Sequence, residues 1–483
     1  MRGAYWIAFA VCAVAATLPL LVTGILPAAD LPEHMAQIAL WKHLDHPCQP
    51  LGESFELQLA TPYLLAYALM RALALVMTVS VTAKLTVWLT IVLLPLALRE
   101  LLKRTSADPW LSLIGFLLAY GYAFYWGFLN FALAIPIGIY FIALLYDREA
   151  PIWKQSIVAL VLLSAHALMF VFCAVVALLV AVIRREAKTL VPIVPPAVLL
   201  ALFIVRLRAA DATTEGGITM WKAPHQRLTD LPSLLFANAW EPFGLLLLFG
   251  LVVAIAVQRP GITRDLARWV LLAAALLVYT FAPFGAYGSA YFYPRFACAA
   301  FAGALFILER PRRSVVLSRA LVVAIVLLWL GVLTARFHRF GLEVRDYEAL
   351  LEQLPPNRRV AQFTVEPFSD HVPGPVYWHF GALYQVRRGG LAAWSFAGYY
   401  PQVVRYRPGK EPVVTTKSSP LSGIDWPAIL QYDYLLVRGP DPRRWLFRDA
   451  PVPISVDRRV GEWSVFATPR ARGPQRDCSP LGE

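Results

Sequence analysis

Of 483 residues, 58% are apolar and 16% are charged, with a formal net charge of +13 and a mean hydropathy of +0.57. Soluble domains carry about 25% charged residues; here the apolar excess sits in nearly charge-free blocks, each long enough to cross a hydrocarbon core about 30 Å thick. The composition excludes a cytosolic enzyme, a disordered chain and a fibrous repeat, and predicts an α-helical multi-spanning membrane protein. In such a chain a basic excess reports orientation rather than nucleic acid, so no nucleic-acid partner is expected.

The first apolar block, Trp6–Leu26, follows the single basic residue Arg2. It exceeds the apolar region of a signal peptide, about 7–15 residues, and predicts an uncleaved first span with a cytoplasmic N-terminus. Residues 27–58 read as a polar outer loop carrying Asp30, Glu33, His34, His43 and His46. Further apolar blocks cover 59–78, 85–101, 110–124, 129–146, 156–183, 190–206, 243–257, 269–285, 295–308 and 318–335. Block 59–78 holds Arg71, which is costly on a lipid-facing helix, so it is read as a helix at the outer face or in a protein-lined cleft and not as a span. Block 156–183 would run about 42 Å as one helix; it is read as two short spans meeting at His166. The total is about 11 spans.

That topology sorts the charge. Segments placed in the cytoplasm carry +9, the outer segments before residue 336 carry −1, and residues 336–483 carry +5. Inner turns therefore hold the Lys and Arg, as the positive-inside rule requires. Loop 207–242, with Trp221, Lys222, His225 and Arg227, reads as a mobile outer cover by its length and position.

From residue 336 the pattern changes. Turn signals at Pro355-Pro356-Asn357, Gly389-Gly390 and Gly439-Pro440-Asp441 separate short β-rich runs at Arg359–Val365, Tyr432–Val437 and Trp463–Ala467, after a helical stretch Glu343–Gln353. Residues 336–483 are read as a small C-terminal α/β domain in the periplasm, and 1–335 as the membrane domain. Cys12, Cys173 and Cys298 fall inside apolar blocks and read as small buried hydrophobes. Cys48 and Cys478 lie outside them, and their pairing depends on a shared oxidising compartment.

Asp30-Leu31-Pro32-Glu33-His34 places two carboxylates and an imidazole directly after the first span. A carboxylate there offers a general base to whatever docks at the membrane surface. The bland alternative is that Asp30 caps a helix opened by Pro32 while Glu33 is solvated. His43, Asp45 and His46 fix no coordination set, so a solvated loop is preferred to a metal site.

An acidic motif after the first span, then an interfacial apolar helix, then a basic residue opening the next span, resembles the layout of GT-C membrane glycosyltransferases. The likeness is to the bacterial transferases related to protein O-mannosyltransferases and to the aminoarabinose transferase of lipid A. Ala83-Lys84-Leu85-Thr86 and Leu98-Arg99-Glu100-Leu101 are similar to that class's opening and closing of a span. Thr86 stands where Pro is usual, and Tyr125-Trp126-Gly127-Phe128-Leu129-Asn130 lacks the second acid of many members. The likeness covers about the first 200 residues.

The resemblance implies an inverting transfer of sugar from a polyprenyl phosphate to a glycan, lipid or protein acceptor at the outer face of the bacterial inner membrane. Asp30 and Glu33 are then the catalytic carboxylates. Lys84, Arg295 and His166 are the donor-phosphate contacts, and His34, Tyr125, Trp126, Asn130 and Tyr293 line the substrate cleft. No metal-binding residue is assigned, and a divalent cation stays open. Alternative readings of single residues are an aromatic belt for Tyr125, Trp126 and Asn130, a helix-bonded His166 and a snorkelling Arg295. Two other functions remain: a transporter or flippase for a lipid-linked substrate, and a degenerate GT-C-like scaffold in envelope assembly. The absence of an internal repeat and the clustering of polar candidates at one face weigh against the first.

Overall fold

A computed structural model describes residues 2–46, 51–209, 219–236, 241–286, 289–412 and 424–472. Cys48, Cys478, the chain beyond 472, and the 210–218 and 237–240 portions of the predicted outer cover lie outside the described residues. Among the described residues, five helices are long and apolar enough to cross a membrane: Gly3–Leu21, Val79–Leu102, Ala167–Arg184, Ala187–Ala209 and Val316–Gln353. Shorter apolar helices lie at Leu64–Leu73, Pro109–Tyr125, Leu129–Leu145, Ile152–Ala165, Phe243–Val257 and Leu266–Phe281. The chain is a membrane protein. Leu64–Leu73, inside the block that holds Arg71, is about 15 Å long, half the thickness of the hydrocarbon core.

The chain forms two compact units. The first comprises Met1–Leu21, Pro62–Ala66 and Val87–Ala335. Its helices approach closely through small residues, the packing that replaces hydrophobic drive inside a bilayer. A Cβ on Gly303 would stand 2.6 Å from the Leu272 Cα, and one on Gly115 would stand 2.7 Å from the Pro95 backbone.

The helix pair predicted to meet at His166 does so: Ile152–Ala165 and Ala167–Arg184 are separated by His166 in an extended conformation. The His166 Nδ1 caps the second helix by accepting the Leu168 N–H at 3.2 Å. Asp108 is buried and binds Arg319 through both oxygens, at 2.8 and 3.1 Å.

The described part of the expected outer cover contains regular structure. Pro224–Phe236 is a helix, and Arg227 is buried. The Arg227 guanidinium donates to the carbonyls of Lys222, Tyr279, Thr280 and Ala282, closing the end of the Leu266–Phe281 helix. A cation at a helix C-terminus satisfies the carbonyls that the helix cannot. Arg227 is thereby a fixed staple.

The second unit comprises Val22–Thr61, Tyr67–Thr86 and Arg336–Glu483. It is built on strands β1 (Phe55–Leu57), β2 (Arg359–Thr364), β3 (Leu391–Ala392), β4 (Val404–Tyr406), β5 (Tyr434–Arg438), β6 (Ser455–Val460) and β7 (Trp463–Ala467). Five of them form a mixed sheet in the order β6-β7-β5-β2-β3, parallel between β5, β2 and β3 and antiparallel elsewhere. Central strands β2 and β5 are buried on both faces over most of their length. One face packs Phe363, Leu435, Val437 and Phe466 over Phe447. On the other, Trp463 stacks on Phe380 and meets Tyr347.

The punctuation read from the sequence is where the chain turns. Asn357, Gly389, Gly390 and Gly439 all have positive φ. Gly390 is obligatory, because a Cβ there would lie 2.0 Å from the Arg358 carbonyl oxygen.

The helix Leu31–His43 belongs to this second unit and is buried from Leu31 to Leu40. It packs on the helix Gly381–Arg388 and on strand β4. Strand β1 pairs antiparallel with β4, with Phe55 stacked on Tyr406 at 4.7 Å between ring centroids. The segment after the first apolar helix thus folds together with residues 379–406.

Candidate active site

Asp30 stands at the head of the Leu31–His43 helix, with φ −88° and ψ −8°. Its side chain makes no capping hydrogen bond, so the bland reading of this residue does not apply. The Asp30 carboxylate is 20% exposed, and one oxygen lies 3.3 Å from His379 Nε2. The His379 ring stacks on Trp394 at 4.1 Å and 12° between planes. Sequence spacing gives no sign of this pair, since His379 arrives from the C-terminal third.

Glu33, one helical turn on, is not solvated; it is 1% exposed. Its Oε2 accepts the Phe396 N–H at 3.0 Å. Burial pushes the Tyr406 phenol well up, with neighbouring Tyr432 and the Glu33 charge adding to the effect. His34 is also buried, with Nδ1 at 2.7 Å from the Tyr67 hydroxyl and its ring edge on Phe396. Tyr67 in turn donates to Gln402 Oε1 at 2.5 Å. That hydroxyl has one proton, given to Gln402, so His34 donates from Nδ1.

Gln37 accepts the Val404 N–H at 2.9 Å, and Gln58 donates to the Tyr400 carbonyl at 2.6 Å. Side chains of Glu33, Gln37 and Gln58 therefore pin the backbone of residues 396–404, and Tyr67 holds the Gln402 side chain. Buried polar groups matched in this way rigidify the segment they hold.

Lys84 donates to the Thr23 carbonyl at 2.6 Å. It lines a cleft with Arg387, Leu31, Pro32, Met35 and Ser80. Arg387 is paired with Glu348 at 2.8 Å. Glu348 presses so close to Gly24 that a Cβ on that residue would stand 2.5 Å from its oxygen. Sequence reading missed Arg387; a lone Arg at the end of a short helix carries no signal.

The other predicted residues lie in the first unit. The Arg295 guanidinium rests 4.0 Å over Phe128, and its Nε donates to the Tyr291 carbonyl at 3.1 Å. His166 is buried between Tyr63 and Phe131, at 4.7 and 5.1 Å. Trp126 lies 4.0 Å from Tyr291, and Tyr125 is buried beside Phe124. Asn130 is buried, and its Oδ1 has no hydrogen-bond partner among the described residues. Tyr293 is fully buried and donates to Asp230 at 2.9 Å, an acid also held by Lys222 at 2.9 Å.

His43 and His46 are near neighbours, at 6.0 Å between rings. Burial pushes His43 down to about 4, with Lys42, His46 and Arg71 adding to the effect. Among the described residues, no three His, Cys, Asp or Glu side chains gather as a metal site.

No family model matches this chain, and no curated protein does. Among solved structures, it is similar to the cryo-EM structure of the arabinofuranosyltransferase AftD from Mycobacteria, at 14% identity and a TM-score of 0.48. The match covers 97% of this chain and 40% of that one, so the chain spans well under half the length of that relative.

Proposed function

We propose that this protein is an inverting GT-C-type glycosyltransferase of the bacterial inner membrane. It moves a sugar from a polyprenyl-phosphate donor to a glycan, lipid or protein acceptor at the outer face. In this reading the N-terminus is cytoplasmic and residues 336–483 are periplasmic. The acceptor hydroxyl attacks the anomeric carbon, the bond to the donor phosphate breaks with its electron pair going to that phosphate, and Asp30 takes the hydroxyl proton. Lys84 steadies the charge growing on the leaving phosphate. The leaving group is already a phosphate, so no strong general acid is required.

One observation carries the reading: Asp30 keeps a partly exposed carboxylate unspent on capping, and the next two residues line a small cleft together with the Lys84 and Arg387 side chains. Glu33, with its carboxylate buried against a backbone N–H, is assigned to holding the site.

The test uses the full-length protein in nanodiscs with decaprenyl- and undecaprenyl-phosphate sugars and membranes from cells lacking the protein as acceptor. Asp30→Asn should lose at least about 100-fold in kcat, and Lys84→Ala should mainly raise the donor KM. Failure of the wild type to release polyprenyl phosphate from any donor, or full activity of both variants, overturns the assignment.

A further inference from the structure

We infer that His379 is the positioning residue for Asp30, and that Trp394 and Glu33 lock it in place; the inference rests on Asp30 being the base. Five contacts close a ring. Asp30 meets His379 Nε2 at 3.3 Å. His379 stacks flat on Trp394, whose ring packs edge-on against Phe396 at 5.4 Å. The Phe396 N–H binds Glu33, and Glu33 returns to Asp30 along one turn of the same helix, its own N–H bonded to the Asp30 carbonyl at 3.1 Å.

The backbone that carries His379 is clamped on both sides. Gln362 donates to the Tyr377 carbonyl at 2.7 Å and accepts the Gly381 N–H. Tyr347 donates to the Phe380 carbonyl at 2.6 Å. Gln362 is itself mostly buried in the central strand β2, so the sheet fixes where His379 stands. A buried histidine held at its backbone and across its ring face has little freedom left to lose.

This arrangement has a chemical consequence. A carboxylate without a cap bond rotates about its last torsion and presents its oxygens to the acceptor in many directions. With one oxygen 3.3 Å from His379 Nε2, the carboxylate has a neighbour that orients it, and its other oxygen takes the acceptor proton from a single direction. Misplacing a catalytic group by about 1 Å costs on the order of 100-fold in rate. His379 exchanges no proton in the net reaction; it acts through Asp30.

The same ring explains why Glu33 is buried. Its carboxylate fixes the strand of chain that bears Trp394, and so acts on the histidine from the far side. The two acids of Asp30-Leu31-Pro32-Glu33 thereby divide between the chemistry and its scaffold.

The experiment is steady-state transfer by the full-length protein in nanodiscs, using the polyprenyl-phosphate sugar that wild type turns over best. His379→Ala should lower kcat by about 30- to 100-fold while the donor KM stays within about twofold. His379→Gln, which keeps an N–H near the same place, should recover about tenfold of that loss. Trp394→Ala should fall in the same direction, and the double variant His379→Ala/Trp394→Ala should be no worse than His379→Ala alone, because the two act as one unit. Thermal unfolding of each variant separates loss of position from loss of fold, and the Gln rescue is a change that a purely structural histidine would not show.

Wild-type kcat in His379→Ala, beside an inactive Asp30→Asn, refutes the inference and leaves the general base standing. Equal losses in the Ala and Gln variants, or multiplied losses in the double variant, refute it as well. Inactivity of the wild type with every donor, or activity in Asp30→Asn, overturns the parent reading and this inference with it.

Discussion

The hydroxyl of Tyr67 is the best single probe of how the 396–404 segment is held. Tyr67 is fully buried, donates to Gln402 at 2.5 Å and lies 2.7 Å from His34 Nδ1. Tyr67→Phe removes both hydrogen bonds and keeps the ring, so no cavity term enters. Two net hydrogen bonds are worth about 0.5–1.5 kcal/mol each, giving a loss of about 1–3 kcal/mol. At roughly 2–4 °C per kcal/mol for a unit of this size, the melting temperature should fall by several degrees. Tryptophan fluorescence of the nanodisc-embedded protein follows that transition. Gln402→Leu should be destabilising by itself, and the pair should couple by about 0.5–1.5 kcal/mol because both variants break one shared bond. Costs that add to within about 0.3 kcal/mol would show that the bond does not hold the segment, and the reasoning would fail.

Two other outcomes test the wider structure. Arg319→Ala leaves the buried Asp108 carboxylate without its bidentate partner and should destabilise by about 3 kcal/mol. The double variant Asp108→Asn/Arg319→Ala should recover part of that loss in a chemical unfolding series; no recovery would refute the pairing. The pH series rests on His43. Burial depresses its folded pKa to about 4, below its ordinary 6.5. Between those values the unfolded chain binds a proton that the folded chain refuses, so stability is full above about 6.5 and declines as pH falls toward about 4. His43→Gln should flatten that slope in melting curves taken from pH 7 to 4, and an unchanged slope would sink the explanation.

Particular elements show which parts were legible. The break at His166 follows from length, since 28 apolar residues exceed one bilayer crossing. Strands at Arg359–Thr364, Tyr434–Arg438 and Trp463–Ala467 lie on the β-rich runs, and Asn357 and Gly389-Gly390 turn the chain between them. These are short-range properties, fixed by backbone sterics and by which residues favour a pleated, buried strand. Asp30 was visible for the same reason: a carboxylate beside a prolyl helix start, directly after an apolar block, is a local pattern.

Its partner was not visible. His379, Trp394 and Arg387 carry no periodicity and no spacing relation to residues 24–40, and nothing local distinguishes Glu33 as a buried acceptor from a solvated acid. Arg227 likewise read as a loop residue until four carbonyls converged on it. What the sequence by itself determined is a membrane-embedded helical chain, its turn positions and the acid at the head of the first loop. The tertiary structure alone decided that residues 22–61 and 67–86 fold with residues 336–483, and which side chains meet there. The physical reason is that hydropathy, turns and strand propensity are summed over neighbours in the chain. A buried carboxylate finds its N–H, and an aspartate its histidine, only when packing brings distant segments within about 3 Å of each other.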